Sequence, residues 1–159
     1  MVFRPKYYVR AYIVLILISA AVCAIPLLVP MPQGKFVIWI GTLVLAGITA
    51  YFAAIYPTMR YTFEGTSLRL SCGPFSSRIN YKDINEINLV NMKLYKYFRL
   101  MGISSPGYYM GLYISLEGKA MVYCTETKEA VVIKTANRIF AVSPKNREEF
   151  VEALKEKLA

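Results

Sequence analysis

The side chains that most often carry out catalysis are scarce in this sequence. Histidine, the commonest general base and metal ligand, is absent from the 159 residues, which excludes Ser-His and Cys-His nucleophile pairs. Cys23, Cys72 and Cys124 lie far apart and form no Cys-x-x-Cys pair, so their spacing argues against a zinc site. We therefore expect no metal and no cofactor, and we expect Cys72 and Cys124 to be reduced and buried.

One pair of acidic residues has a spacing that suits chemistry. Asp83, the single aspartate, precedes Glu86 by three residues. On a helical turn the two carboxylates would share a face and hold a cation weakly. A turn capped by Asp83, beside a solvated Glu86, explains the same residues more simply. Since acid–base hydrolysis requires paired acids in a cleft, and no other feature marks these two, we predict that the protein is not an enzyme.

The most distinctive polar segment runs from residue 91 to residue 102 and mixes basic residues with aromatic and aliphatic ones. A loop of this composition can lie on an anionic membrane, with its rings at the interface and its cations on the headgroups. It can also be a connection whose aromatic side chains fill the core while its cations are solvated. Together with two basic residues that precede it, the segment supplies the candidate lipid- or partner-binding residues: Arg78, Lys82, Lys93, Lys96 and Arg99.

The elements that carry these residues follow from an uneven distribution of charge. The chain has 19 basic and 10 acidic residues, 18% of its length, which is below the roughly 25% of an ordinary soluble domain. Only four of these charges, all basic, lie in residues 1–59, and the other 25 lie in residues 60–159. We therefore predict a tail and a membrane part in residues 1–59, followed by one globular domain in residues 60–159.

Two uncharged apolar stretches in the first part, about 11–31 and 36–57, are long enough to cross a bilayer as helices. A short connection rich in proline and glycine separates them. Neither stretch has a polar face, which disfavours a pair of buried helices in a soluble protein. A cleavable signal peptide over residues 1–24 is an alternative for the first stretch. We predict a two-helix transmembrane hairpin.

Basic residues near the helix ends indicate the orientation of this hairpin. The tail before the first helix has three basic residues and no acid, whereas Lys35 is the only charge in the connection. We expect a multi-pass protein of the cell membrane with both termini and the globular domain in the cytoplasm. Ala46, Ala50 and Ala54 recur at helical spacing, which favours close helix packing within the hairpin or between two copies of the chain.

From residue 60 the sequence changes to short alternating stretches separated by turns. This alternation predicts seven or eight mainly antiparallel strands, with an irregular connection between residues 91 and 107. An amphipathic helix should follow Ser143 and Pro144, which suit an N-cap and a first helical position. The predicted fold class is α+β and membrane-anchored: a two-helix transmembrane hairpin, then a mainly antiparallel β barrel or sandwich with a C-terminal α-helix.

Several short motifs occur in a characteristic order along residues 60–158. They are Tyr61-Thr62-Phe63-Glu64-Gly65, Gly73-Pro74-Phe75, Pro106-Gly107-Tyr108, Gly111-Leu112-Tyr113, Val132-Ile133-Lys134-Thr135 and Phe150-Val151. In this order and spacing, the segment resembles the bacterial pleckstrin-homology-like (PH-like) domains that follow short membrane hairpins. The resemblance implies a PH-like fold attached to a membrane. Phosphoinositide-binding PH domains commonly carry Lys and Arg around their first hairpin, whereas the matching turn here, residues 64–67, has an acid and no lysine.

These observations favour a non-catalytic, membrane-anchored binding or scaffold module at the cytoplasmic membrane face. We expect it to act through a protein partner, at an open sheet edge or at the 91–110 loop. The alternatives are an anionic-lipid sensor that uses this loop, an accessory subunit of a larger membrane enzyme or transporter, and a homo-oligomer. Topology accounts for the four N-terminal charges, and residues 60–159 retain only 15 minus 10, or +5. We therefore expect no nucleic-acid partner.

Overall fold

The computed structural model describes residues 1–6, 13–14, 16–18, 20–22, 24, 36–90, 98–105, 107–115 and 118–158. The chain forms two compact units. A helical unit comprises Tyr8–Pro57, and a globular unit comprises Met1–Tyr7 together with Thr58–Ala159. The sequence places residues 1–7 in the tail of the membrane part, whereas the structure assigns them to the globular unit.

The helical unit contains helix α1, Phe36–Ile55, which is rich in apolar residues and has no charged residue. Among the described residues, one helical stretch, Trp39–Thr58, is long and apolar enough to cross a membrane. The described residues between 13 and 24 are helical, but the predicted connection at 25–35 lies outside the described part of the chain. The two-helix hairpin therefore stays a prediction. Of the three alanines expected to pack, Ala46 is buried, and Ala50 and Ala54 are exposed.

The globular unit consists of two sheets and a C-terminal helix. A four-stranded antiparallel sheet has the order β1-β2-β3-β4, and a six-stranded sheet has the order β5-β9-β10-β8-β7-β6. The strands are β1 Val2–Phe3, β2 Arg60–Phe63, β3 Ser67–Cys72, β4 Phe75–Asn80, β5 Ile84–Val90, β6 Phe98–Ser105, β7 Tyr108–Ser115, β8 Gly118–Cys124, β9 Ala130–Thr135 and β10 Ile139–Val142. Helix α2 is Arg147–Glu156. The predicted mainly antiparallel sheets with a C-terminal helix are confirmed, although β10 runs parallel to β8.

Two strands arise where the sequence predicts none. Strand β6 occupies residues 98–105 of the predicted irregular connection. The sequence does not predict it because a bulge between Arg99 and Met101 and a glycine at Gly102 interrupt its alternation. Strand β1 has two residues, too few to show any period. Helix α2 also begins later than predicted, with Asn146 as its N-cap. The hydroxyl oxygen of Ser143 instead accepts a hydrogen bond from the Thr125 amide at 2.7 Å.

Aromatic side chains from both ends of the chain form the core beside the four-stranded sheet. Phe150 of α2 is fully buried, and its ring centroid lies 5.3 Å from that of Phe3 and 5.2 Å from that of Phe63. The Tyr61 hydroxyl donates to the Tyr123 carbonyl oxygen at 2.7 Å. Burial of apolar side chains thus holds the sheets and the helix together. The buried Tyr61 hydroxyl has a hydrogen-bond partner.

A second cluster consists of mostly small apolar residues on β8, β9 and β10, together with a tyrosine of β7. Its buried members are Tyr113, Ala120, Val122, Cys124, Ala130, Val132, Ile139 and Ala141. As expected, Cys72 and Cys124 are both buried and unbridged. Burial raises the pKa of the Cys124 thiol to about 12, because an apolar environment disfavours the thiolate.

This raised pKa predicts a loss of stability in alkali. In the unfolded chain the thiol ionises at its ordinary pKa, whereas in the folded chain it keeps its proton up to about pH 12. The unfolded state therefore binds fewer protons in this window, and the free energy of unfolding falls as the pH rises towards 12. Burial raises the pKa of Tyr123 as well, which adds to the loss.

Denaturant titrations at about pH 8 and about pH 10.5 test this linkage, with the near-ultraviolet circular dichroism of the tyrosines as the signal. The Cys124→Ala variant should lose less stability between the two pH values than the wild type does. An equal loss in both proteins would show that the thiol does not contribute.

Candidate functional site

Strand β6 is the most exposed apolar feature of the globular unit. It lies at one edge of the six-stranded sheet, and within the described part of the chain it pairs with β7 alone. Phe98 is 73% exposed, Leu100 52% and Met101 75%. We call these three residues the apolar edge. An edge strand presents unpaired backbone N–H and C=O groups, and proteins normally protect such strands with charges or a cover.

The other edge strands of the two sheets are shorter than β6 and expose fewer large apolar side chains. Strand β6 has eight residues, whereas β5 has seven and β4 has six. On β5 the carboxylate of Glu86 lies 3.2 Å from the Lys134 ammonium, and hydrogen bonds from Asn88 and Lys134 lower the pKa of Glu86. Strand β4 has one large exposed apolar side chain, Phe75. Strand β5 exposes two large apolar side chains, Leu89 at 53% and Val90 at 43%, so β6 differs from it by carrying three such side chains and by the higher exposure of Phe98 and Met101.

Two glycines fix the pairing that positions the apolar edge. Gly102 and Gly111 lie opposite each other on β6 and β7, with φ angles of +119° and +145°. A Cβ atom on Gly102 would lie 2.1 Å from the Met110 carbonyl oxygen, and one on Gly111 equally close to that of Met101. Only glycine permits this approach of the two backbones.

Of the five predicted basic residues, the structure describes three, and it places them on separate elements. Arg78 is on β4, Lys82 in a short 3₁₀ turn at Tyr81–Asp83, and Arg99 on β6 rather than in a loop. Lys93 and Lys96 lie outside the described residues. Arg78 already has a counter-ion, since its Nε atom lies 3.7 Å from a Glu64 carboxylate oxygen. Of the described members, only Arg99 lies beside the apolar edge.

The two acidic residues lie on different elements, Asp83 at the end of the 3₁₀ turn and Glu86 on β5. Asp83 accepts a hydrogen bond from the Asn80 side chain at 2.8 Å, as in the predicted turn. Within the described ranges, no group of three or more His, Cys, Asp or Glu residues could hold a metal ion. The sequence indicates the 91–110 loop as a candidate binding region but does not predict that Phe98, Leu100 and Met101 lie on an exposed edge strand, although three large apolar residues among the four before Gly102 are a usable signal.

The sheets, the C-terminal helix and this open edge can be compared with known proteins. The family model of the bacterial PH domain matches residues 59–158, which include every strand from β2 to β10 and helix α2. The chain belongs to the bacterial PH domain family. No curated protein and no solved structure matches it. Membership indicates a binding or scaffold module, because PH domains are generally non-catalytic binding domains. The family model of the bacterial PH domain does not include β1 or α1, since both precede residue 59.

Proposed function

We propose that this bacterial PH domain is a non-catalytic, membrane-anchored module that binds a protein partner at the cytoplasmic membrane face through β6. The observation that best supports this proposal is the apolar edge. Its three large exposed side chains lie on an edge strand that, in the described part of the chain, pairs with β7 alone. An extended segment of a partner would add a strand to this edge. Its backbone would pair with β6, and its side chains would cover Leu100 and Met101.

The chemistry of the edge favours a protein over a bilayer as the occupant. Arg99 beside the exposed Phe98 and Met101 would also suit an anionic membrane, which is the second candidate. Hydrocarbon, however, cannot satisfy the open N–H and C=O groups of an edge strand, whereas a partner strand can. The lipid alternative therefore leaves backbone groups without hydrogen bonds.

The charge of the edge favours a different protein over a second copy of the chain. Strand β6 carries Arg99 and no acidic residue, and Lys93 and Lys96 precede it in the sequence. Two copies paired through β6 would bring these positive charges together, which is unfavourable. An apolar segment flanked by acidic residues would complement them. A larger membrane enzyme or transporter with such a segment would make this chain an accessory subunit.

The anchoring part of the proposal is supported by the character of α1. The large side chains Leu43, Val44 and Leu45 are all exposed, although exposed leucine and valine are unfavourable in water. A helix of this length and composition is stable in a bilayer. The basic tail and the basic residues after α1 favour the cytoplasmic side.

Photo-crosslinking in native membranes tests the partner site. A photoreactive amino acid at Phe98 should form an adduct with a distinct protein, and Leu100→Asp should reduce this adduct by about tenfold or more, because a carboxylate would be buried at the contact. Phe75→Asp is the matched control, since Phe75 is an exposed apolar residue on edge strand β4. It should leave the adduct unchanged.

Three results would contradict the proposal. An adduct of twice the 18.0 kDa chain mass would identify a second copy, and an adduct with lipid alone would identify the membrane. Equal losses in Leu100→Asp and Phe75→Asp would show that β6 is not the contact.

A further inference from the structure

A cleft of about 590 Å³ lies in the globular unit between β1, the start of β2 and the beginning of α2. Three of the residues that line it are basic: Arg4, Arg60 and Lys145. They are distant in the sequence, and they are separate from both the apolar edge and the β2–β3 turn. The volume is in the range of sites that hold small molecules.

Backbone pairing brings these three residues together. In the register of β1 and β2, Val2 lies opposite Thr62 and Phe3 opposite Tyr61. Continued by one residue, the same register sets Arg4 opposite Arg60. The Lys145 amide donates to the Arg4 carbonyl oxygen at 2.9 Å, so the third basic residue is fixed beside the first. The cluster is therefore built by the fold.

Among the described residues, no ion pair within 4.0 Å involves Arg4, Arg60 or Lys145. The basic residues that form such pairs are Arg69, Arg78, Lys134 and Arg147. Glu149 is the acidic residue that lines the cleft, and its carboxylate accepts a hydrogen bond from the Asn146 side chain at 2.9 Å. Like charges opposite each other on antiparallel strands are unfavourable, so the cleft is suited to an anion.

The beginning of α2 adds to this preference. Asn146 lines the cleft as the N-cap and makes no side-chain hydrogen bond to the helix backbone. The first backbone bond of the helix runs from the Phe150 amide to the Asn146 carbonyl oxygen. The positive end of the helix dipole therefore lies beside the three basic side chains.

We propose that this cleft binds a phosphate-bearing anion. A guanidinium group donates two parallel hydrogen bonds to phosphate oxygens. Arg4, which follows β1, and Arg60, which begins β2, supply two such groups. Lys145 supplies a further charge. A compact, multiply charged group fits this arrangement better than a single carboxylate, because three cations converge on one cleft.

The phosphate can belong to a soluble compound or to a lipid headgroup. Arg60 follows the last residue of α1 by five residues, so a headgroup is within reach if α1 spans the membrane. Binding of a lipid headgroup depends on the membrane anchoring proposed above, whereas binding of a soluble phosphate compound does not. Release of the chain from membranes by alkaline carbonate would show that the anchoring is wrong and would leave a pyrophosphate result intact.

Titration calorimetry of the full chain in a neutral detergent tests the proposal. One arm uses inorganic pyrophosphate, and the other compares dioctanoyl phosphatidic acid with dioctanoyl phosphatidylcholine. Changing both Arg4→Gln and Arg60→Gln should weaken binding by about tenfold or more, because charge-assisted hydrogen bonds are lost. The control changes Lys128→Gln and Lys155→Gln, which removes two exposed positive charges elsewhere and should leave binding unchanged.

Thermal unfolding without anion separates binding from a structural role. Arg4→Gln should not lower the unfolding temperature, because it removes one of two facing like charges. If the double variant does not fold, Lys145→Gln alone should weaken binding by about threefold or more. The proposal is supported if pyrophosphate or phosphatidic acid binds and the affinity is lower in the cleft variants but not in the control. The compound that binds shows whether the phosphate comes from a soluble anion or from a lipid headgroup. No binding in either arm, or an equal loss in the control, overturns it.

Discussion

Replacing Phe150 with alanine is expected to lower the free energy of unfolding of the globular unit by about 3–5 kcal/mol. Phe150 is fully buried, and its ring contacts those of Phe3, Tyr61 and Phe63 with centroids 5.2–6.0 Å apart. Alanine would leave a cavity between α2 and the four-stranded sheet. A loss of this size is a large part of the roughly 5–15 kcal/mol of a typical domain.

A denaturant titration of the purified chain in detergent measures this loss, with the near-ultraviolet circular dichroism of the tyrosines as the signal. Val151→Ala is the matched control, because Val151 is the next residue on the same helix and is only partly buried. It should cost about 1 kcal/mol or less. Equal losses in the two variants would contradict the packing described for Phe150.

Replacing Gly111 with alanine is expected to disrupt the pairing of β6 with β7. The new Cβ atom would lie 2.1 Å from the Met101 carbonyl oxygen and 2.7 Å from the Gly102 Cα atom, so one backbone must move. The φ angle of +145° adds strain. We expect a loss of about 2–3 kcal/mol or more, together with loss of the crosslinked adduct formed through β6.

Gly65→Ala is the control for this variant, because a Cβ atom on Gly65 meets no atom within 4 Å. It should change stability by no more than about 0.5 kcal/mol and leave the adduct intact. Hydrogen exchange should show faster exchange of the β6 amides in Gly111→Ala than in Gly65→Ala. Unchanged exchange at β6 would contradict the close approach of the two glycines.

The sequence predicts the parts of the fold that have a regular period. Residues 60–63 and 67–72 alternate and form β2 and β3, and the apolar face of residues 150–158 predicts α2. The sequence does not predict strand β6, because its bulge and Gly102 break the period of two on which strand prediction depends. The start of α2 was placed too early, because Ser143 serves as a buried hydrogen-bond acceptor instead of a cap.

The candidate sites were less predictable than the strands, since both depend on contacts between distant residues. The basic and aromatic composition of residues 91–102 predicts a binding segment in this part of the chain, whereas the exposure of Phe98, Leu100 and Met101 follows from the position of β6 at a sheet edge. The cleft depends on the pairing of β1 with β2 across more than 50 residues. In the sequence, Arg4 and Arg60 are explained as basic residues that orient the membrane helices. Only the register of β1 and β2 places them opposite each other.

The pairing of β1 with β2 makes the helical unit an insertion within the globular one. Val2 and Phe3 are synthesised before α1 but acquire their strand partners only when residues 61 and 62 have followed. The domain therefore cannot be completed while the intervening helices are still being made. A soluble fragment that starts at residue 60 would lack an edge strand, the Phe3 ring and Arg4. Studies of this domain should keep the N-terminal residues attached, for instance by joining them to residue 58 through a short flexible linker.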